Sequence, residues 1–335
     1  MSAELAALVL GCEGTALTAV ERDFFRDTNP LGFILFRRNV DSPDQVRALV
    51  NSLRDAVGRD APILIDQEGG RVARLRGPHW PELPAARAVG DLTDPERAGQ
   101  AAWLHGRLLA AMLSDLGIDV DCAPVADVPV PGAHDVIGDR AFAMDPGTVA
   151  ALAASQAAGL LAGGVLPIVK HIPGHGRAFA DSHKELPVVN TVRAELDEWD
   201  FAPFKALSHL PAAMVAHVVY TDIDADRPSS ISPTVISDIV RGYIGFDGLL
   251  FSDDLSMQAL SGTLGQRTAA VLAAGCDVAL HCNGQMAEML DVAASAGALD
   301  AAGLRRWSAA SALVAAAPPT DINALRAEFD RLLAG

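Results

Sequence analysis

The sequence predicts an α/β fold: a single-domain (β/α)8 TIM-type barrel over residues 1–335 that ends in C-terminal helices. Three observations predict it. Short apolar runs alternate with longer segments of helical spacing, and eight such units follow one another. Strands separated by helices run parallel, because parallel neighbours need long crossovers, and eight of them suggest closure into a barrel. No Gly-x-Gly-x-x-Gly follows the first apolar run, which weakens the alternative of a dinucleotide-binding open sheet.

The elements follow in order. A first strand is expected at 6–10, a helix at 18–28 and a second strand at 32–36. Ser42 then caps a helix with Pro43 at its first position and apolar residues at helical spacing. A third strand at 62–65 ends in Asp66, and a long loop, 67–90, carries Gly-Gly-Arg and several prolines. Residues 94–116 form a strong helix, 120–125 a fourth strand and 147–162 another helix. The fifth strand begins at Val165. A helix at 196–210 leads to a sixth strand at 212–219, and Ser232 caps the helix after it. Strands at 248–252 and 277–281 flank a helix at 266–274, and 286–335 reads as helices broken at Pro318 and Pro319.

Composition narrows the function. Half the residues are apolar and the formal net charge is −16. That balance opposes binding to nucleic acid or to an anionic membrane. The four cysteines, Cys12, Cys122, Cys276 and Cys282, form no Cys-x-x-Cys and sit in or beside apolar runs. They read as small buried hydrophobes in a reducing compartment. Glu4 and Glu13 stand where a signal peptide would be basic, and no apolar run reaches the roughly 18 residues of a membrane span. A soluble, cytoplasmic chain is expected, as a monomer or weak dimer.

Chemistry concentrates between Gly163 and Val189. An apolar run, Val165 to Val169, breaks into a loop holding Lys170, His171, His175, Asp181 and His183, two of them beside the chain's scarce lysines. Pro173, Gly174 and Gly176 forbid a helix there. In a barrel the active site lies at the carboxyl ends of the strands. Asp66, Asp139 with Arg140, Lys170 with His171, His217, Asp253 with Asp254, and His281 with Asn283 all stand at or just after such ends. Side chains alternate along a strand, so one of Asp253 and Asp254 should face the mouth and the other the helices, and periodicity does not say which. One aspartate could attack an electrophilic carbon. A histidine could give and then take a proton, with Asp181 orienting His183. Lysine, arginine and a further carboxylate suit many hydroxyls. The set fits glycoside hydrolysis with retention, with an imidazole in place of the usual second carboxylate.

The residues KHIPGHG, then ADSHKELP, with GLLFSDDLSM downstream, resemble the family 3 glycoside hydrolases, in the bacterial β-N-acetylhexosaminidase branch. LIDQEGGRVARL, GDRAF and MVAHVVY match in the same order, so the resemblance covers nearly the whole chain. It implies Asp253 as the nucleophile, His183 as the acid/base and Asp181 as its partner. Asp66, Arg140, Lys170 and His171 would bind sugar hydroxyls, and Arg74 and His217 would line the same pocket. The implied activity removes a terminal β-linked N-acetylglucosamine from peptidoglycan turnover fragments in which that sugar is joined to a peptide-bearing anhydro-N-acetylmuramic acid. The partner is thus a small carbohydrate, and no metal or organic cofactor is implied. Other family members carry a second α/β domain that supplies the acid. This chain is too short for one, in keeping with a loop-borne histidine, and the glycines suggest that the loop moves.

Three other readings compete. A metallohydrolase could use His171, His175, Asp181 and His183, but the His-x-x-x-His spacing falls on a Pro/Gly loop and not on one helix face. A phosphorylase could use the same scaffold, since a histidine acid/base leaves the site less negative than a glutamate. A non-catalytic sugar-binding protein would not need the intact set of Asp181, His183 and Asp253.

Overall fold

The computed structural model describes residues 4–178, 185–314 and 320–334. Eight parallel strands close a barrel: β1 (Ala6–Leu10), β2 (Pro30–Leu35), β3 (Ile63–Ile65), β4 (Val120–Asp121), β5 (Leu166–Ile172), β6 (Ala212–Val215), β7 (Leu249–Asp254) and β8 (Val278–His281). Each pairs with its sequence neighbour in that list, and β8 returns to β1. The expected fold class is therefore the observed one.

Alternation divides the apolar residues into two shells. Val9, Ile34, Leu64, Ile168, Met214, Leu249, Phe251 and Leu280 pack together in the lumen. Leu8, Phe33, Ile63, Val169, Ala213 and Leu250 face outward, into the larger core shared with the helices. Those helices include α1 (Ala19–Thr28), α2 (Pro43–Val57), α3 (Ala86–Gly90), α4 (Pro95–Ser114) and α5 (Pro146–Ala162). Asp94 and Asp145 accept N–H groups of the first turns of α4 and α5, and Ser42 does so for α2. Each cap satisfies donors that a helix start leaves open, and proline follows each at a position that lacks a partner anyway.

Several segments depart from the expectation, among them the fourth strand, expected at 120–125 and observed only over Val120–Asp121, and the loop 67–90, which ends in the helix Ala86–Gly90. The helix expected at 196–210 is two short ones, α6 (Arg193–Glu198) and α7 (Ala202–Ala206). Asp200 lies between them, buried, with its carboxylate 3.0 Å from Arg177, and this inward turn interrupts the helix. The sixth strand stops at Val215, because Val219–Tyr220 leaves the barrel to pair with Val188–Val189 in a separate two-stranded sheet. The segment after Ser232 is a π-helix, Val235–Tyr243, although Ser232 Oγ does accept the Val235 N–H at 3.1 Å. Beyond these, α8 (Leu264–Ala274), α9 (Met286–Ala296), α10 (Ala301–Ser311) and α11 (Ile322–Ala334) complete the chain, and Leu299 and Ala310 join the lumen cluster around the start of the barrel. No helix among the described residues is long and apolar enough to cross a membrane.

A buried histidine ties the long loop after β3 to the helices. Gln156 of α5 lies 2.7 Å from His105 Nδ1, and the Pro84 carbonyl lies 3.2 Å from Nε2. The carbonyl accepts the Nε2–H and the Gln156 Nε2–H donates to Nδ1, so the ring is neutral with its proton on Nε2. Gly69, at φ +90, passes so close that a Cβ would lie 2.4 Å from the Pro84 oxygen. Burial pushes the His105 pKa down to about 4 from an ordinary 6.5, and a Pro84 hydrogen bond opposes this only in part. The unfolded chain takes the proton first. Stability from this group is therefore intact above pH 6.5 and is lost as pH falls to about 4. His105→Gln should flatten the fall in unfolding free energy over that window by about 3 kcal/mol. An unchanged slope would show that another group titrates.

Candidate active site

The carboxyl ends of the strands surround a cavity of about 320 Å³. Its wall holds one chain of alternating charges. Lys170 Nζ, on β5, lies 2.7 Å from Asp66 Oδ1 and 2.6 Å from Glu68 Oε1. Arg74 binds Asp66 at 3.0 Å, and Arg140 forks onto Glu68 with two bonds of 2.8 Å. Burial alone would push both carboxyls up. The Lys170 and Arg74 cations outweigh it and hold Asp66 well below its usual range, and Arg140 with Lys170 brings Glu68 to about 2. Burial likewise pulls Lys170 down, but its two carboxylates hold it above its ordinary value. Asp66, Glu68, Lys170 and Arg140 are thus charged at neutral pH, with their donors and acceptors aimed at one another at the cavity wall.

A second buried carboxylate holds the start of the loop after β5. Asp127, which has no exposed surface, lies 2.6 Å from His171 Nδ1 and accepts the backbone N–H of His175 at 2.7 Å and of His171 at 3.2 Å. Burial raises its pKa, but the His171 imidazole outweighs that and keeps it ionised. The carboxylate needs a proton from Nδ1, so His171 turns Nε2 toward the cavity. Lys170 and His171 both line the cavity although they are consecutive. The pairing of β5 with β6 shifts register between Lys170 and Ile172, which breaks the strict alternation there. Gly176 continues the loop where a Cβ would lie 2.1 Å from the Val128 carbonyl, so only glycine fits against the backbone.

The lumen packing settles which face each aspartate of β7 takes. Leu249 and Phe251 point into the lumen, and Asp253 shares their side; Leu250 points to the helices, as does the side of Asp254. Both aspartates reach the cavity wall at the strand end. Asp254 is held at the rim by the Ser256 and Cys282 N–H groups, each at 3.1 Å, and by the Ser256 hydroxyl. Asp253 Oδ1 accepts the Asp254 N–H at 2.8 Å.

Asp66, Arg74, Arg140, Lys170, His171 and Asp253 are thus brought together, whereas His217 is not part of the wall. It is fully buried beside the end of β7, where Nε2 faces the Asp254 carbonyl at 3.1 Å and Nδ1 faces Ser230 Oγ at 2.6 Å. It thus braces the strand end that carries Asp253 and Asp254. His281 and Asn283 also miss the mouth. His281 faces outward, 3.3 Å from Glu288, and Cys282 between them takes the lumen side. Asp139 sits on the rim, paired with Arg71. Asp181 and His183 lie outside the described residues. Sequence reasoning passed over Glu68 and Asp127. Their signal was an acid just past the third and the fourth strand, in QEGG and ADVP.

The cavity can hold a polyhydroxylated ring against fixed donors and acceptors, with a carboxylate below it. Comparison with known proteins agrees with that chemistry. The profile of the glycosyl hydrolase family 3 N terminal domain matches residues 6–307. A β-hexosaminidase of Bordetella avium is 41% identical over 276 residues, covering 81% of this chain and 78% of that one. The crystal structure of NagZ from Neisseria gonorrhoeae in complex with N-trifluoroacetyl-D-glucosamine superposes with a TM-score of 0.86 at 32% identity, covering 99% of this chain and 98% of that one. A family 3 β-N-acetylglucosaminidase from Paenibacillus sp. str. FPU-7 gives the same TM-score of 0.86 at 29% identity; the match covers 97% of this chain but only 66% of that longer one.

Lys170→Met would leave Asp66 and Glu68 buried beside each other without the ammonium. A cost of about 3–5 kcal/mol at pH 7 is expected, because breaking a buried pair strands its partners. Both carboxyls would then titrate higher, so the deficit relative to wild type should shrink as pH falls below 5. Chemical denaturation at pH 7 and pH 4.5 checks both statements, and an equal deficit at the two values would contradict the second.

Proposed function

Because the chain belongs to glycosyl hydrolase family 3 and is a β-N-acetylhexosaminidase by its relatives, we propose how it acts and on what. The proposed reaction removes a terminal β-linked N-acetylglucosamine with retention, through a covalent glycosyl-enzyme. Asp253 attacks the anomeric carbon while His183, oriented by Asp181, protonates the glycosidic oxygen. The aglycone leaves, and the neutral His183 then deprotonates the water that hydrolyses the ester. Asp66, Arg74, Arg140, Lys170 and His171 position the sugar, and Glu68 holds Lys170 and Arg140. The substrate class is the peptidoglycan turnover fragment in which N-acetylglucosamine is joined to a peptide-bearing anhydro-N-acetylmuramic acid. We place the activity in the cytoplasm, on one catalytic domain over 1–335.

The observation that carries this reading is the position of Asp253. It tops the lumen face of β7 in the same wall as the charged chain through Lys170. A cavity of about 320 Å³ is at the small end of ligand sites, which suits one terminal sugar. The segment that carries Asp181 and His183 leaves from a firmly held start. The Tyr220 hydroxyl donates to the Gly174 carbonyl, and Arg177 pairs with Asp200 at 3.0 Å and Glu195 at 2.7 Å. Beyond the segment, Val188–Val189 is fixed by its pairing with Val219–Tyr220. All four cysteines are buried free thiols, in keeping with a reducing compartment.

Release of nitrophenol from the aryl β-N-acetylglucosaminide is the direct test. Asp253→Ala should abolish it, and a 2-fluoro sugar should label Asp253 in a peptide map; label on Asp254 would move the nucleophile. General acid help is worth about 10²–10⁴-fold. His183→Ala should therefore slow a disaccharide by about that factor and an activated aryl glycoside much less. Equal losses on both would remove His183 from the role of acid.

A further inference from the structure

Alternation divides the three residues that follow β3. Asp66 and Glu68 line the active-site cavity, on the side of Leu64, which packs in the lumen. Gln67 stands between them on the opposite side and is only 2% exposed. Its side chain turns onto its own loop. Gln67 Oε1 accepts the backbone N–H of Arg74 at 2.8 Å and of Leu75 at 3.0 Å, and Nε2 donates to the Leu75 carbonyl at 3.2 Å. The amide meets two donors with its oxygen and an acceptor with its nitrogen, which fixes its orientation.

The backbone does not make these bonds itself. At the loop tip Gly69 bridges Val72, and the Glu68 N–H donates to the Val72 carbonyl at 2.9 Å. No backbone carbonyl among the described residues accepts from Arg74 or Leu75. Leu75 is buried, so without Gln67 its N–H would lose its partner away from water. Arg76 braces the tip through the Ala73 carbonyl at 3.1 Å and the Arg71 carbonyl at 2.9 Å, and its bonds do not reach Arg74 or Leu75. Gln67 is anchored in turn from β4, where its own N–H donates to Oδ1 of the fully buried Asp121 at 3.0 Å. From the loop, the Arg74 side chain passes over the Phe36 ring at 5.0 Å and reaches Asp66 at 3.0 Å. A continuous path of hydrogen bonds thus runs from β4 through Gln67 to a guanidinium of the cavity wall.

We infer that Gln67 is a positioning residue for the glycosidase reaction: it sets the stretch of backbone from which Arg74 reaches the sugar. This rests on the functional reading above, in which Arg74 helps to position the sugar. Gln67 is not itself part of the cavity wall and acts only through the group it aims. An arginine has many rotamers, so its aim depends on both ends. Asp66 holds the guanidinium and Gln67 holds the main chain. Placement of this kind matters to rate, because a displacement of about 1 Å can cost about a hundredfold.

A double-mutant cycle on kcat/KM for the nitrophenyl β-N-acetylglucosaminide separates this role from general support of the fold. Active enzyme is counted by titration with the 2-fluoro sugar, so a misfolded fraction does not enter the result. Gln67→Met keeps the side-chain volume and removes its three hydrogen bonds. In the wild-type background it should lower kcat/KM by about ten- to a hundredfold. In the Arg74→Ala background the same change should cost less than about threefold, because the group it aims is gone. Gln67→Glu keeps the acceptor for both N–H groups and, when protonated, can donate to the Leu75 carbonyl. Its deficit relative to wild type should therefore shrink as pH falls from about 7 to about 5. If Gln67→Met does not fold, Gln67→Glu at about pH 7 completes the same cycle. Equal losses in the two backgrounds would overturn this inference alone, as would wild-type kcat/KM in either Gln67 variant at about pH 7 or in Arg74→Ala. A wild-type enzyme that does not hydrolyse the glycoside would overturn the functional reading and this inference with it.

Discussion

One ammonium group holds the mouth of this barrel together. Lys170 Nζ is almost wholly buried, 2.7 Å from Asp66 and 2.6 Å from Glu68. Those carboxylates come from the turn after β3, the lysine from β5, and Arg140 from the loop after β4. Three strands that approach from different parts of the sequence are thus locked at their carboxyl ends by charge. Such a buried network adds little net stability, because desolvating its members costs about what their attraction returns. What it supplies is position. Each donor is already aimed when a ligand arrives, so little reorganisation is left for binding or for the transition state.

The lumen makes that network possible. Val9, Ile34, Leu64, Ile168, Met214 and Phe251 fill the barrel interior and keep water from reaching it from below. The charged side chains are one layer further along the same faces, so their environment is dry on one side and open on the other. Burial accordingly opposes the charged forms of Asp66, Glu68, Arg140 and Lys170, and in each case the oppositely charged neighbours win. Asp127 repeats the scheme with a histidine as partner. It closes the loop after β5 onto the barrel and fixes which nitrogen His171 presents.

The fold was legible in the sequence because parallel strands buried on both faces read as short continuous apolar runs. The helices were legible where proline and a cap residue marked their starts, as at Ser42, Asp94 and Asp145. Legibility failed where a polar residue turned inward. Asp200 splits a helix whose apolar spacing reads as continuous, since its pairing with Arg177 depends on a residue far along the chain. His217 reads as a strand-end group like its neighbours, yet β6 stops two residues before it and the ring is buried against the Asp254 carbonyl. Glu68 and Asp127 sit in glycine- and proline-bearing loops where no periodicity tells an inward acid from a solvated one. Alternation did carry information about Asp253 and Asp254, but only after the lumen side of β7 was known.

The balance of charge around the cavity bears on why an imidazole would serve as proton donor. Asp66, Glu68, Asp253 and Asp254 line the wall with Arg71, Arg74, Arg140 and Lys170, four anions against four cations. A fifth carboxyl entering this wall would have no cation left to answer it, and its like-charged neighbours would push its pKa up. An imidazole adds no negative charge in either form. It titrates near neutrality, so one group can give the proton to the leaving oxygen and take one from water without a second carboxylate. A wall that already holds four carboxylates thus favours a donor that adds no further negative charge, such as the imidazole of His183.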